Sequence, residues 1–339
     1  MHHGPPQKHP QHSRPPLIKT GGTHSAHLRL INQRATQEPA DGHLALQAGL
    51  LACRASIEPK YLYDGLGSTL FSAITLLPEY YPTRCEAEIL SEHGAAIAQR
   101  AGTVRTLIDL GAGDCAKAEK LLPALQPQCY MPVDISVDYL RQAVQRLKRS
   151  HPRLDILPIE QDFAAGLTLP PLTAREGRLI FFPGSSIGNL DRPQALGLLR
   201  SMARLGAQAL IGVDRVKPRD ILEQAYDDAL HLTAAFNLNL LRHVNHILHS
   251  NFDARDWEHM ARYDASRQRV EMHLRALHDV KVEWPGERRQ FNTGETIHTE
   301  SSYKYTTEGF EALLHEAGFH DVQHWSDARD WFTVYHARS

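Results

Sequence analysis

A chain of 339 residues exceeds the roughly 250–300 at which a single hydrophobic core stops growing, so two modules are expected. With 42 % apolar and 22 % charged residues, a formal net charge of -2 and no apolar run near the ~20 residues that span a bilayer, the composition argues against a membrane protein and offers no basic stripe for nucleic acid. Cys53, Cys85, Cys115 and Cys129 form no CxxC pair and no zinc-ligand spacing, so free thiols, no metal and a reducing, cytoplasmic setting are expected.

The opening 40 residues are rich in Pro, His and Gly, lack the apolar stretch of a signal peptide, and read as a disordered tail. Helical spacing begins near Asp41 in HLALQAGLLACRAS. The aromatic segment from Tyr61 to Leu90 is broken by Pro78 and Pro82 into a short helix and a longer one, the latter over about Thr83 to Ala101. From Thr106 strands alternate with helices: TLIDLG, CAKAEKLLPAL, CYMPVDIS, VDYLRQAVQRLKRS, DILPIEQDF, RLIFFPGSS, PQALGLLRSMARL and QALIGVDRV. Such alternation predicts a doubly wound parallel sheet, an α/β core. Between about Lys217 and His298 the alternation stops, and one long helical stretch followed by a segment that ends strand-like reads as an inserted, mostly helical domain. A helix TTEGFEALLHEAGF and a closing strand DWFTVYHA resume the core. The expected division is a tail (1–40), a substrate-binding domain (41–84 with 217–304) and the sheet domain (85–216 with 305–339).

In LIDLGAGDCAKAEKLL a buried strand runs through a Gly-rich turn into a helix, so Gly111 and Gly113 let backbone approach a ligand at the strand's carboxyl end. A dinucleotide fingerprint would place a third glycine where this chain has Ala116, and would put a pyrophosphate at the helix N-terminus. The turn instead carries Asp109 and Asp114, which repel pyrophosphate and suit the cationic amino-acid end of S-adenosylmethionine. Asp134 ends the next strand, where a carboxylate can accept from ribose hydroxyls. Asp162 and Phe163 end the third, suited to an adenine edge and face. Each alone is weak, since an aspartate at a strand end is more often a cap; three in order are strong.

Beyond these, YDGLGSTLF, LPEYYPTR, DLGAGDCAK, FFPGSSIGN, AYDDALHLTAAFN, VEMHLRA and HTESSYKY resemble successive blocks of the ergothioneine-type histidine α-N-methyltransferases, over roughly Leu46 to Arg338. The resemblance implies a class I methyltransferase that uses S-adenosylmethionine to methylate the α-amino group of L-histidine three times, as a monomer. It implies cofactor contacts at Tyr63, Ser68, Gly111, Lys117, Asp134, Asp162 and Phe163. It places the substrate carboxylate on Asn189 and Tyr226, with Gly184 in the same GSSIGN loop as Asn189. The imidazole falls to Glu300 and Ser302, with Phe71 and Met272 packing nearby and Tyr80 shaping the amine pocket. Leu230, His231 and Leu232 stand where smaller residues are expected. The alternatives are a relative acting on another amino acid and a non-catalytic subunit that binds S-adenosylmethionine.

Transfer of a methyl group from sulfonium to nitrogen is an in-line displacement, so holding the amine in place matters more than covalent chemistry. The amine must be unprotonated, and burial beside like charge favours that form. No strong base is therefore expected; Tyr80 or a water is the expected route for the proton.

Overall fold

The computed structural model describes Met1 and residues 31–32, 39–163, 166–170 and 176–339. Most of the segment read as a disordered tail lies outside the described residues. Within it, a short strand β1 (Ile31–Asn32) instead pairs in a sheet. Helices α1 (Pro39–Leu51), α2 (Gly65–Ile74) and α3 (Pro82–Ala101) follow, with the two prolines outside α2 and at the first turn of α3, where a missing N–H costs nothing.

The alternating region gives β2 (Thr106–Leu110), α4 (Ala116–Leu125), β3 (Cys129–Asp134), α5 (Val137–Ser150), β4 (Asp155–Ile156), β5 (Ile159–Glu160), β6 (Arg178–Phe182), α6 (Arg192–Arg204) and β7 (Gln208–Asp214). Every residue of β2 and β6 is buried, as befits parallel strands covered on both faces. The insertion holds α7 (Arg219–Gln224), α8 (Leu232–Leu248), β8 (Trp257–Asp264), β9 (Arg269–Ala276), β10 (Val280–Trp284), β11 (Glu287–Phe291) and β12 (Thr296–Tyr303). The chain closes with α9 (Thr307–Ala317), β13 (His320–Ser326) and β14 (Phe332–Arg338).

The large sheet runs β1-β5-β3-β2-β6-β7-β14-β13, with β4 also on β3. Its pairings are parallel as far as β7, and β14 then lies antiparallel between β7 and β13. Strand order reverses at β2, which has β3 on one side and β6 on the other, and that switch point is where open α/β sheets bind ligands. One face buries Leu107, Leu179, Phe181 and Leu210 toward α3 and α4; the other buries Ile108, Ile180, Phe182 and Ile211 toward α6 and α9. Each such side chain contributes about 1.5–3 kcal/mol by leaving water. Asp191 and Gln194 close a reciprocal capping box on α6, which fixes where the loop after β6 turns back.

The insertion departs from its expected form in two ways. Its long helix is broken, because the Asp228 carboxylate accepts from the backbone N–H groups of Leu230, Leu232 and Thr233 and starts α8 afresh. Its second half is antiparallel strand: a β10-β11 hairpin and a three-stranded β12-β9-β8 sheet covered by α8. So the helical character holds only for its first half. In β12 the register against β9 shifts between His298 and Glu300, leaving Thr299 as an extra residue. His298 then lies opposite His273 while Glu300 lies opposite Met272. The outer edge of β12 bonds to the segment after α1, with Ile57 N–H donating to the His298 carbonyl and His298 N–H to that of Ala55, both at 2.9 Å.

Candidate active site

At the switch point β2 ends in a turn whose Gly111 and Gly113 have φ of 69° and 53°, a left-handed backbone that favours glycine. The Asp134 carboxylate at the end of β3 is pinned by two backbone donors, Gly113 N–H and Ser136 N–H, each at 2.8 Å. Phe163 lies over the same turn: a Cβ on Gly111 would come within 3.8 Å of its ring. That ring packs edge-on against Phe182. Asp162 is within 4.0 Å of Lys60. From the aromatic N-terminal block, the Ser68 hydroxyl reaches that of Ser136 at 3.4 Å, so α2 closes on the loop after β3.

Three residues expected at the cofactor are engaged within the protein. Asp109 is only 1 % exposed, its Oδ2 accepts from the Tyr130 hydroxyl at 2.6 Å, and burial pushes its pKa up to about 7. Its Oδ2 is held inward on Tyr130, and its Oδ1 has no hydrogen-bond partner among the described residues. Asp114 is exposed, and it caps the Ala116 N–H that opens α4. Lys117, expected on the cofactor, places its ammonium 2.8 Å from the buried Glu86 carboxylate. Glu86 also accepts from Gly184 N–H at 2.8 Å, tying α3, α4 and the loop after β6 together. A Cβ on Gly184 would sit 2.7 Å from the Lys117 Nζ, so Gly184 serves this junction.

Tyr63, Phe71, Tyr80 and Tyr226 form a chain of rings with neighbouring centroids 5.7, 6.0 and 6.3 Å apart. Phe236 of α8 packs on Tyr63 and Phe71. Burial raises the pKa of Tyr63, Tyr80 and Tyr226 well above the usual phenol value, so all three keep their protons at neutral pH. The loop after β6 folds into a short turn, Ser186–Asn189, that lies against β12. There Asn189 Nδ2 approaches Glu300 Oε2 at 3.5 Å, and the Tyr226 hydroxyl donates to Ser302 Oγ at 2.7 Å. Met272 is the cross-strand neighbour of Glu300. The residues expected at the two ends of a bound amino acid therefore form one polar wall beside one aromatic wall. Desolvation pushes Glu300 up to about 7, opposed by the Lys304 ammonium.

A family model described as a histidine-specific, S-adenosylmethionine-dependent methyltransferase matches residues 43–339. The chain belongs to this family. The methyltransferase is 38 % identical over 310 residues to the histidine N-alpha-methyltransferase of Mycolicibacterium smegmatis, covering 88 % of this chain and 96 % of that protein. It is 38 % identical over 299 residues to the protein of the same name in Mycobacterium tuberculosis, covering 84 % and 92 %. Ergothioneine biosynthesis protein 1 of Schizosaccharomyces pombe is 29 % identical over 282 residues, 78 % of this chain and 36 % of that protein.

Beneath the polar wall the methyltransferase carries charge that its motifs did not announce. Lys304, fully buried, donates to the Tyr226 hydroxyl at 2.9 Å, to Ser302 Oγ at 2.8 Å and to Asp214 Oδ2 at 2.8 Å. Asp214 ends β7, pairs with Lys217 at 2.5 Å and accepts from the Tyr81 hydroxyl at 2.8 Å. The two ammonium groups hold its pKa below the usual carboxylate value against the cost of burial. Burial lowers Lys217 to about 8. A signal for Lys304 was present, because strand alternation puts residues 300, 302 and 304 on one face. Glu86 carried a fainter one, a charge set among the apolar positions Cys85, Ile89 and Leu90 of an amphipathic helix.

Proposed function

We propose that the methyltransferase acts on the α-amino group of L-histidine, three times in succession, giving Nα,Nα,Nα-trimethyl-L-histidine for ergothioneine synthesis. The observation that carries the substrate is the convergence of Glu300, Asn189, Ser302 and Tyr226 on one wall, facing Phe71 and Tyr80. Glu300 takes an imidazole N–H and Asn189 takes the carboxylate, while Tyr226, whose hydroxyl donates to Ser302, lines the pocket beside them. A pocket with a buried carboxylate for the ring discriminates against apolar side chains, whose binding would leave it unpaired.

S-adenosylmethionine supplies an electrophilic methyl group when bound. The β2 turn fits it: backbone free of side chains at Gly111 and Gly113, the fixed Asp134 carboxylate for ribose hydroxyls, and Phe163 for the base. Ser68 and Tyr63 close that site from the accessory side, and Lys117 acts on it through Glu86 and Gly184. Tyr80, buried and protonated, or a water steers the amine proton out to solvent, and no strong base is needed. The rings of Tyr63, Phe71 and Tyr80 surround a growing methylammonium, each such contact adding roughly 0.5–2 kcal/mol. The accessory domain is residues 41–84 with 217–304 and the catalytic core 85–216 with 305–339; the protein works as a cytoplasmic monomer.

Mass spectrometry of purified protein incubated with S-adenosylmethionine and each amino acid singly tests the reading. One, two and three added methyls on histidine alone are expected, with the preference lost in Glu300→Ala. Methylation of a different amino acid would overturn the substrate; cofactor binding without any turnover would overturn the activity.

A further inference from the structure

Donors and acceptors behind the ring pocket can be counted. A lysine ammonium has three N–H donors and no acceptor, and all three of Lys304 are committed, to Asp214, Tyr226 and Ser302. Ser302 Oγ therefore accepts from Lys304, and it accepts again from the more acidic phenol of Tyr226. Both of its lone pairs are engaged. Its own proton has no acceptor among the described residues and is left for a ligand. The local charge favours the same outcome: around Asp214 one carboxylate faces two ammonium groups, Lys217 and Lys304, which leaves surplus positive charge behind the hydroxyls.

We propose that Lys304 is a positioning residue that makes Ser302 a hydrogen-bond donor, so that the pocket takes the neutral imidazole, with the unprotonated ring nitrogen on Ser302 and the N–H on Glu300. An imidazolium would bring a second N–H to an oxygen with no lone pair to spare and a second cation toward Lys304. This rests on histidine being the substrate. Lys304 touches neither the ring nor the reacting atoms; it sets the polarity of a side chain that does.

The direct test is nitrogen-15 NMR of ring-labelled histidine bound to the wild-type protein with S-adenosylhomocysteine, at a pH below the free ring's pKa of about 6.5. One protonated and one unprotonated ring nitrogen are expected; two protonated nitrogens, an imidazolium paired with Glu300, would overturn the proposal. If histidine does not bind the wild type at all, the substrate assignment fails instead. A double-mutant cycle is the second test. In Lys304→Met, Asp214 keeps Lys217 and the Tyr81 hydroxyl, so its charge remains paired. Lys304→Met and Ser302→Ala should each raise the KM for histidine about tenfold or more with kcat nearly unchanged, as expected when binding remote from the reacting atoms is lost. Combined, they should cost no more than the larger single effect. Multiplying effects, or a parallel loss of S-adenosylhomocysteine binding in Lys304→Met, would mean that Lys304 only supports the fold.

Discussion

Glu300 shows how one side chain can serve function at the expense of stability. Burial raises its pKa from the ordinary carboxylate value of 4.5 to about 7. Between those values the folded chain keeps a proton that the unfolded chain has released, so this group's contribution to stability falls as pH rises from about 4.5 to about 7 and is constant above. Glu300→Gln removes a penalty of at most about 3 kcal/mol. Its melting temperature should therefore exceed the wild type's at pH 8, with the gap closing toward pH 5 in paired thermal melts. The same variant should lose about 10–100-fold in kcat/KM for histidine, the worth of a hydrogen bond to a charged group. Tyr80→Phe should slow turnover most at low pH; a full rate at every pH would take Tyr80 out of the proton path. Asp134 and Phe163 were legible because the regular alternation of strand and helix marks where each parallel strand ends. Asp109 misled for the same reason: position at a strand end does not tell which way a carboxylate points, and this one turns inward to Tyr130.

Among the elements, the turn Ser186–Asn189 is held by close approach. A Cβ on Gly188 would lie 2.7 Å from the Tyr303 carbonyl oxygen, a backbone atom that cannot swing aside. Gly188→Ala should push the turn off β12 and carry Asn189 away from Glu300, lowering kcat/KM for histidine by about 100-fold, the cost of a misplacement near 1 Å. Binding of S-adenosylhomocysteine by calorimetry should persist. The complementary case is Glu86→Gln, which strips the charge from the junction of α3, α4 and the loop after β6 and should weaken that binding about tenfold. Helices α3 to α6 and strands β2, β3, β6 and β7 were readable because burial on both faces and short loops leave a strong period. In the insertion only the stretch that became β9 looked strand-like; β8 and β10 to β12 did not, since sequences such as WEHMARYD and ERRQF alternate charge with small or aromatic residues and owe their strand form to one another.

For the molecule as a whole, Tyr63 joins the two halves. Its ring packs on Phe71 and Phe236 of the accessory side, and both Glu300 and Asp134 act on its hydroxyl. Ser72 meets Tyr139 of α5 at 2.5 Å along the same seam. Ordering either site should therefore help order the other. Histidine should bind about 5–150-fold more tightly with S-adenosylhomocysteine present, the usual span of coupling between sites, and S-adenosylhomocysteine should gain by the same factor with histidine. Titration calorimetry in both orders checks the reciprocity, and Tyr63→Ala should abolish most of it. Equal affinities with and without the partner ligand would show that the seam transmits nothing.

The extra residue at Thr299 makes the substrate wall a matter of parity. Upstream of it, β12 is locked to Ala55 and Ile57 through His298; downstream, it is locked to Asp214 through Lys304. Removing one residue between these anchors obliges one half to reverse its faces, although no functional side chain has been lost. Deleting Thr299 should thus be far more damaging than Thr299→Val, and the safest place to shorten or lengthen this chain lies anywhere but between those two locks.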